Sequence, residues 1–450
     1  MLSSTLRLNA AGLNAPTVRS ESLAGIGQFA ARFPFALLNR RGTCLPQLQV
    51  TSREFPRLHP LTTALALSLG AAIALGLSRF SYALLLLPMR TDLEWTYLLA
   101  GSMNTGNALG YFFGALLTPV LMRRVGIWQT LVGGSVLVGV FMLLSGIVTD
   151  APTLFLLRVC AGVASAFVFV GGGVLAAQLG SMHSKRAGLL IGLYYGGTGL
   201  GIAASALLVP AALAAAQQHG VAHSWQWPWL VLGIACLVAT GILAGPAKAI
   251  GGAPLGQTHR SRFVIRDFLF GLSGYFMFGV GYIGYMTFVV ALLRQQGMSA
   301  GHITLFYTLL GLAVVVSPRL WAPMLDRFRG GEALAILNGI LGTASILPAL
   351  TSATPIVFLS GVVFGAVFLS VVASTTALVR HNLPPEIWSS GISAFTVVFA
   401  FGQIVGPTIV GWIADGPGGL ERGLIVSAIA LFAAAALAAQ QKPLARAQSS

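Results

Sequence analysis

Twelve long apolar stretches follow one another between residues 61 and 440, and they constrain the fold of this chain more than any other feature. A helix rises about 1.5 Å per residue, so about 20 apolar residues cross the roughly 30 Å apolar core of a bilayer. The sequence therefore predicts an all-α membrane protein with twelve transmembrane helices. The predicted spans lie near 61–88, 95–120, 127–148, 153–177, 187–214, 228–245, 266–293, 302–323, 332–350, 354–378, 389–413 and 422–440.

The composition excludes the soluble classes of protein. Of the 450 residues, 56% are hydrophobic and only 8% are charged, which leaves too few polar side chains to cover several water-soluble domains. The net charge of +15 would suggest nucleic-acid binding in a soluble protein, but here the positive charge lies in the predicted loops. We expect the lipid bilayer and a small-molecule substrate as partners, no nucleic acid, and a monomer.

Motifs for cofactors and metals are missing from the sequence. No G-x-x-x-x-G-K-[ST] element is present, and the glycine-rich run at 196–201 loses the dinucleotide-binding spacing because Ile202 occupies its last position. The cysteines Cys44, Cys160 and Cys236 are widely spaced, and no pair of histidines has metal-ligand spacing. We therefore expect no cofactor, no metal site, no catalytic residues and no enzyme.

Lysine and arginine are distributed unevenly over the predicted loops. With both termini on the cytoplasmic side, the cytoplasmic loops and the carboxyl tail hold fourteen of these residues. The outer loops then hold three, namely Arg90, Arg294 and Arg422. This asymmetry follows the positive-inside rule and predicts a multi-pass protein of the cell (inner) membrane with both termini cytoplasmic.

Residues 1–57 differ from the rest of the chain, with seven Arg, two Glu and no apolar run long enough to cross a bilayer. We interpret them as a basic, disordered cytoplasmic tail. An organellar transit peptide and an over-extended start of the chain are alternatives that the sequence does not separate. A second, shorter cytoplasmic tail is predicted at 441–450.

A polar stretch at 246–265 divides the membrane region into two halves, 61–245 and 266–440. The halves repeat at an offset of about 204 residues, since Pro119 with Arg123 and Arg124 after span 2 recurs as Pro323 with Arg327 after span 8. Two six-helix bundles joined by a cytoplasmic linker are typical of transporters that move two halves around a site at the membrane midplane.

Three stretches, 76–82 (Gly-Leu-Ser-Arg-Phe-Ser-Tyr), 103–111 (Met-Asn-Thr-Gly-Asn-Ala-Leu-Gly-Tyr) and 402–412 (Gly-Gln-Ile-Val-Gly-Pro-Thr-Ile-Val-Gly-Trp), make the chain resemble a known family. It resembles the major facilitator superfamily and, within it, the YbfB/YjiJ-type bacterial transporters, over about residues 61–440. The resemblance also includes a degenerate element at 114–126 and the pattern Leu154-x3-Arg158-x3-Gly162. It implies solute transport by alternating access.

The resemblance further implies a cytoplasmic gate built from the basic turns after spans 2 and 8. The first turn carries Arg123 and Arg124 but no Asp, whereas the second has Asp326 followed by Arg327. We therefore expect the charge latch to be stronger in the second half.

Two charged residues lie inside predicted spans, Arg79 in span 1 and Arg158 in span 4, and each costs at least about 2.5–3.5 kcal/mol on insertion scales. Their distances from the nearest span ends place them at a similar depth, roughly 13 and 9 Å from the outer boundary. No Asp or Glu lies well inside any span, so we expect a bound anion to hold both guanidinium groups. The alternatives are snorkelling, hydrogen bonds to helix carbonyls, and a purely architectural role for Arg158.

Four aromatic residues of span 7, including Tyr282 and Tyr285, share one helical face at spacings of 3, 7 and 10 residues. We predict that these two tyrosines line the substrate path, with bundle packing as the alternative. Asn104 in span 2 and Gln403 in span 11 are further candidates for substrate binding, because a buried carboxamide needs a partner. Interhelical hydrogen bonding is the alternative for both residues.

The predicted function is transport of a small solute, an organic anion, by secondary active or facilitative alternating access. The alternatives are efflux of hydrophobic or drug-like compounds and a non-transporting sensor or scaffold. The carboxylates closest to the path, Asp267 and Asp326, lie at the ends of spans, so coupling to an ion stays open. The sequence does not fix the substrate or the direction of transport.

Overall fold

The structure is a computed structural model that describes residues 59–183, 186–250, 263–384 and 387–444. The predicted tail at 1–57, most of the predicted linker and the last six residues lie outside these ranges. Within them the chain is helical and contains no strand.

Thirteen α-helices, one π-helical segment and one 3₁₀ turn make up the described membrane region, and each predicted span falls on this framework. Span 1 consists of α1, the π segment and α2, whereas spans 2–12 correspond to α3–α13. The helices are α1 (Pro60–Ala71), α2 (Tyr82–Asp92), α3 (Tyr97–Val125), α4 (Ile127–Ser145), α5 (Ala151–Met182), α6 (Ala187–Gln218), α7 (Gln226–Ile250), α8 (Leu269–Gln295), α9 (Ala300–Arg327), α10 (Glu332–Leu350), α11 (Thr354–Asn382), α12 (Trp388–Ala414) and α13 (Gly419–Ala439). The π segment is Ala72–Phe80, and the 3₁₀ turn is Ile265–Phe268.

By length and composition, 11 spans of the described chain are long and apolar enough to cross a membrane, one fewer than the twelve predicted. The span that falls short is α3, although its 29 residues give it sufficient length. Asn104, Asn107 and several Gly, Ser and Thr residues lower its hydropathy. α3 is therefore the most polar of the twelve helices that follow the predicted pattern.

The predicted segments at the edges of the halves are more ordered than the sequence suggests. Helix α7 continues to Ile250, so the first five residues of the predicted linker are helical and include Pro246. After α13, Gln441 is buried, and its Nε2 donates to the backbone oxygen of Asp267 at 2.9 Å. The backbone N–H of Gly271 donates to Gln441 Oε1 at 3.1 Å, so the start of the carboxyl tail is held against α8.

Side-chain caps fix where several helices begin. Thr96 accepts a hydrogen bond from the N–H of Leu99 at the start of α3, and Asp150 accepts one from the N–H of Thr153 at the start of α5. These caps satisfy N–H groups that have no partner within the helix. Hydrogen bonds from Thr153 hold the pKa of the Asp150 carboxyl below its usual value.

Helices α1–α7, the amino-terminal set, and α8–α13, the carboxyl-terminal set, meet mainly through α3 against α12 and α6 against α9. We name the two ends of the molecule by residues that lie there. The Asp415 end contains Tyr97 and Asp415, and the Asp326 end contains Arg123, Arg124 and Asp326. The distinction matters because the described side-chain hydrogen bonds between the two sets lie towards the Asp415 end.

Candidate substrate-binding site

Arg79 lies in the π-helical segment of span 1. The N–H of Ser81 donates to the backbone oxygen of Gly76 at 3.1 Å, a bond over five residues that closes the π turn. Gly76 packs so closely on Gly201 of α6 that a Cβ at Gly76 would lie 2.5 Å from the Gly201 Cα. Only glycine, which has no side chain, fits at this position of the helix. Short π-helical segments are frequent at functional sites.

The side chain of Arg79 is 2% exposed, and two of its donors have no partner among the described residues. These donors, Nε and Nη2, lie along one edge of the planar guanidinium group. The Arg79 Cζ lies over the ring of Tyr111 on α3, 6.0 Å from its centroid. Buried donors are nearly always hydrogen-bonded, and two adjacent N–H groups on one edge of a guanidinium can hold a bidentate acceptor.

Arg158 on α5 is equally buried but is held by the protein. Its Nη1 donates to the backbone oxygen of Ser78 at 2.8 Å, and its Nη2 donates to Asn104 Oδ1 at 3.3 Å. Its Cζ lies 5.2 Å from the ring of Tyr82 and 5.3 Å from that of Trp229, distances suited to cation–π attraction. Only its Nε has no partner.

The two arginines repel each other electrostatically, and their similar depth in the membrane stays a prediction. The expectation that both are unpaired holds for Arg79 alone. Ser78 immediately precedes Arg79, so the bond from Arg158 fixes the backbone that carries the free guanidinium group. In the part of the chain that the structure describes, neither arginine forms an ion pair with a carboxylate.

Asn104 connects Arg158 to the carboxyl-terminal helix set. Its Oδ1 accepts from Arg158, and its Nδ2 donates to Thr287 Oγ1 on α8 at 2.8 Å. The neighbouring Asn107 donates from Nδ2 to the backbone oxygen of Arg158 at 3.2 Å, whereas its buried Oδ1 has no partner. Asn104 is therefore a bridge between the sets in this conformation.

Tyr282 and Gln403, predicted separately, are in contact. The Tyr282 hydroxyl donates to Gln403 Oε1 at 2.9 Å, and Tyr282 interacts electrostatically with Arg79. Tyr285 lies apart from this pair, with its hydroxyl 2.8 Å from Ser360 Oγ of α11. Of the six predicted substrate-binding residues, the structure thus groups Arg158 with Asn104 and Tyr282 with Gln403, and Arg79 follows Ser78, whose backbone oxygen accepts from Arg158.

Stacked rings extend from Tyr282 over α8, α11 and α12. The Tyr282 ring stacks on Phe278 at 4.9 Å, on Phe399 at 5.5 Å and on Phe368 at 5.6 Å between centroids. Phe368 in turn meets Phe80, the residue after Arg79, edge to face at 5.8 Å. We call Phe278, Tyr282, Phe368 and Phe399 the ring wall.

Sequence reasoning missed a second group of rings in the amino-terminal set. Tyr111 contacts Phe169 at 6.4 Å between centroids, and Phe169 contacts Tyr195 at 5.5 Å. All three side chains are partly exposed, and the ring of Tyr111 also lies under the Arg79 guanidinium. The adjacent pair at 194–195 and the tyrosine at the end of the 103–111 stretch are visible in the sequence, but nothing there indicates that α3, α5 and α6 bring these rings together.

The predicted gate residues lie at the Asp326 end. Arg123, Arg124, Asp326 and Arg327 are all exposed. Among the described residues, no ion pair joins any of them in this conformation. Among the described residues, the side-chain hydrogen bonds between the two helix sets lie towards the Asp415 end instead.

The chain is similar to transport proteins in both sequence and fold. The model of a family described as "Uncharacterised MFS-type transporter YbfB" matches residues 71–439. A protein of Escherichia coli (strain K12) described as a 3-(3-hydroxy-phenyl)propionate transporter is 24% identical over 354 residues, which cover 74% of this chain and 83% of that protein.

Solved structures of transporters share the fold at low sequence identity. A bacterial homologue of the human lysosomal transporter Spinster, in an inward-facing and unoccupied conformation, has a TM-score of 0.65 at 15% identity and covers 85% of this chain and 97% of its own. The nucleoside transporter NupG has a TM-score of 0.62 at 14% identity, over 84% of this chain and 98% of its own. The human organic anion transporter MFSD10 has a TM-score of 0.57 at 14% identity, over 85% and 100%.

Proposed function

The chain belongs to the YbfB-type family of the major facilitator superfamily, and from this premise we propose that it carries a small organic anion across the membrane by alternating access. Its class is that of a multi-pass transporter of small solutes and not of an enzyme. The observation that carries the proposal is the open edge of the buried Arg79 guanidinium, with Nε and Nη2 both lacking an acceptor.

A carboxylate fits that edge. Its two oxygens accept from two parallel N–H groups, the arrangement in which arginine binds carboxylates most strongly. The charge also favours an anion, because Arg79 is buried near a second cation, Arg158, and no described carboxylate neutralises either. A solute that brings the negative charge with it removes the cost of this arrangement while it is bound.

The rest of the solute is proposed to be apolar and ring-shaped. Tyr111 of the amino-terminal set lies over Arg79. Tyr282 and the rest of the ring wall lie on the side of the carboxyl-terminal set. Aromatic side chains with a hydroxyl pack against a flat apolar body and tolerate a polar substituent on it. The E. coli relative, described as a transporter of a hydroxyphenyl propionate, supports an aryl carboxylate as the class.

The predicted residues then take different roles. Arg79 holds the carboxylate, and Arg158 with Asn104 positions the segment that carries Arg79. Tyr282 and Gln403 face the solute from the opposite side, and the hydroxyl of Tyr285, also on α8, bonds Ser360 of α11. The gate consists of Arg123, Arg124, Asp326 and Arg327, and its one carboxylate, Asp326, pairs with an arginine of the gate when the Asp326 end closes.

The test is uptake of radiolabelled 3-phenylpropionate into proteoliposomes that contain the purified protein. We expect uptake that unlabelled 3-phenylpropionate inhibits and that its uncharged amide does not. Arg79→Gln should abolish it, whereas Arg294→Gln, a change of an exposed arginine at the end of α8, should leave it intact. Inhibition by the amide equal to that by the acid would contradict the anion proposal.

The ring wall also favours a second function, efflux of hydrophobic or drug-like compounds. In that case the stacked rings bind the solute and Arg79 is dispensable. Cells expressing Phe399→Ala should then lose tolerance to lipophilic compounds, while Arg79→Gln cells keep it. The opposite pattern, in which only the arginine change matters, favours the organic anion.

We further propose the topology that the charge distribution predicts. Both termini are cytoplasmic, the Asp326 end faces the cytoplasm, and the protein works as a monomer in the cell (inner) membrane without a nucleic-acid partner. The two helix sets are proposed to be the two bundles that move relative to each other. Labelling of single cysteines from either side of intact cells tests the orientation.

A further inference from the structure

A carboxylate at the end of α12 caps the start of α3. Asp415 follows directly after α12 and accepts hydrogen bonds from the first two N–H groups of α3, that of Tyr97 to Oδ1 at 2.7 Å and that of Leu98 to Oδ2 at 2.8 Å. We propose that Asp415 is the latch that holds the two helix sets together at the Asp415 end, and that this cap breaks and reforms in each transport cycle. The inference relies on alternating access but not on the identity of the solute.

The cap is not needed to start the helix. Helix α3 already has a local cap, because Thr96 Oγ1 accepts from the N–H of Leu99 at 3.1 Å. The first N–H groups of any helix lack a partner within it, and water or a turn residue ordinarily satisfies them. Here an acceptor more than 300 residues away does so, and it belongs to the other helix set. The specific consequence of the bond is therefore to join the sets.

Asp415 lies at the outermost point of a close contact between α3 and α12. One step inward, a Cβ at Gly411 would lie 2.5 Å from the backbone oxygen of Tyr97, and one at Gly101 would lie 2.5 Å from that of Pro407. Further along, Thr105 Oγ1 is 2.7 Å from Thr408 Oγ1. Separation of the two helices from this end has to break the Asp415 cap first.

The chemistry suits a bond that must open repeatedly. A carboxylate is favoured at a helix amino terminus, where the partial positive charge of the helix lies. Asp415 and Tyr97 are both accessible to water, Asp415 being exposed and Tyr97 half-buried. Water can therefore solvate the carboxylate and both N–H groups as they part. The bond between Asn104 and Thr287, which is fully buried, has no such replacement.

A distance measurement between the two sets tests the latch. Spin labels are placed at Thr149→Cys and Ser352→Cys, two exposed positions in turns at the Asp415 end, one in each set. The three native cysteines are replaced by serine, and distances are measured by pulsed electron paramagnetic resonance in lipid nanodiscs without solute. We expect Asp415→Ala to raise the ratio of open to closed forms at this end on the order of fivefold, the change that corresponds to loss of one helix cap.

The matched control is Asp150→Ala. Asp150 is also a carboxylate at the Asp415 end that caps a helix, accepting from Thr153 at 3.0 Å, but donor and acceptor lie in the same set. Its loss should leave the distance distribution unchanged. Asp415→Asn keeps one acceptor oxygen and should give a smaller shift than Asp415→Ala. If the alanine variant does not fold, the distances are measured in the asparagine variant alone.

Two results would overturn the latch. Unchanged distances in both Asp415 variants would show that the cap does not hold the sets together. An equal shift in Asp150→Ala would show that loss of any cap at this end loosens the protein. Because these distances are measured without solute, either result leaves the organic-anion proposal untouched, and failure of 3-phenylpropionate uptake leaves the latch untouched.

Discussion

Arg79 and Arg158 are buried to the same degree, 2% exposed each, yet the protein treats them differently. Arg158 donates from Nη1 to the Ser78 backbone oxygen and from Nη2 to Asn104 Oδ1, and it lies against two aromatic rings. Arg79 leaves Nε and Nη2 without any acceptor. Burial of a charge within a membrane helix thus does not by itself identify a binding residue. The number of donors that the described protein leaves unpaired is the difference on which we base the proposal that Arg79 binds the solute.

The largest expected effect tests whether Arg79 binds the solute. Arg79→Gln removes two charge-assisted hydrogen bonds to the solute, worth about 3 kcal/mol together, so transport should fall more than about 100-fold. The melting temperature in detergent should not fall, because no protein partner loses a bond. A variant that melts at a much lower temperature would mean that Arg79 is structural as well.

The next largest effect tests whether Arg158 has a structural role. Arg158→Lys keeps the charge but loses the planar fork, so it cannot reach both the Ser78 oxygen and Asn104 Oδ1. One buried acceptor left unpaired costs about 1–3 kcal/mol, which thermal melting should report as reduced stability. Arg79→Lys is the control and should lower transport instead. If the lysine changes behave alike at both positions, the distinction between the two arginines is wrong.

A smaller effect sharpens the comparison at Asn104. Asn104→Ala removes the acceptor of Arg158 Nη2 and the link to Thr287, at a cost of about 1–2 kcal/mol in stability. Because the link joins the two helix sets, solute-free distances between the sets should also shift. Asn338→Ala is the control, since this buried asparagine donates only to Leu334 of its own helix in the described contacts. A shift in the control equal to that of Asn104→Ala would contradict the bridging role.

The smallest effect concerns the wall opposite Arg79. Tyr282→Phe keeps the stacked ring and removes the hydroxyl that donates to Gln403, so the half-saturating solute concentration should rise by roughly fivefold, or about 1 kcal/mol. Tyr285→Phe removes a hydroxyl that bonds Ser360, away from Arg79, and should change that concentration less. Equal effects of the two changes would place both tyrosines at the same distance from the solute.

The helices and the candidate residues could be predicted to different extents. The predicted spans fall on helices because hydropathy is a property of consecutive residues. Helix α3 is the exception, because its buried Asn104 and Asn107 lower its hydropathy. As a prediction, a similar depth for the two arginines follows from counting residues along straight helices. Their pairing does not, since it depends on which helix each guanidinium faces.

By itself, then, the sequence determined that this is a polytopic helical membrane protein of the transporter class with two buried cations. Only the tertiary structure decided that Arg158 is satisfied by Ser78 and Asn104, that Arg79 is not, and that Asp415 caps a helix of the other set. The physical reason is that crossing a bilayer depends on the local chain, whereas a hydrogen bond needs a partner within about 3 Å. For these residues that partner lies 50 to more than 300 positions away.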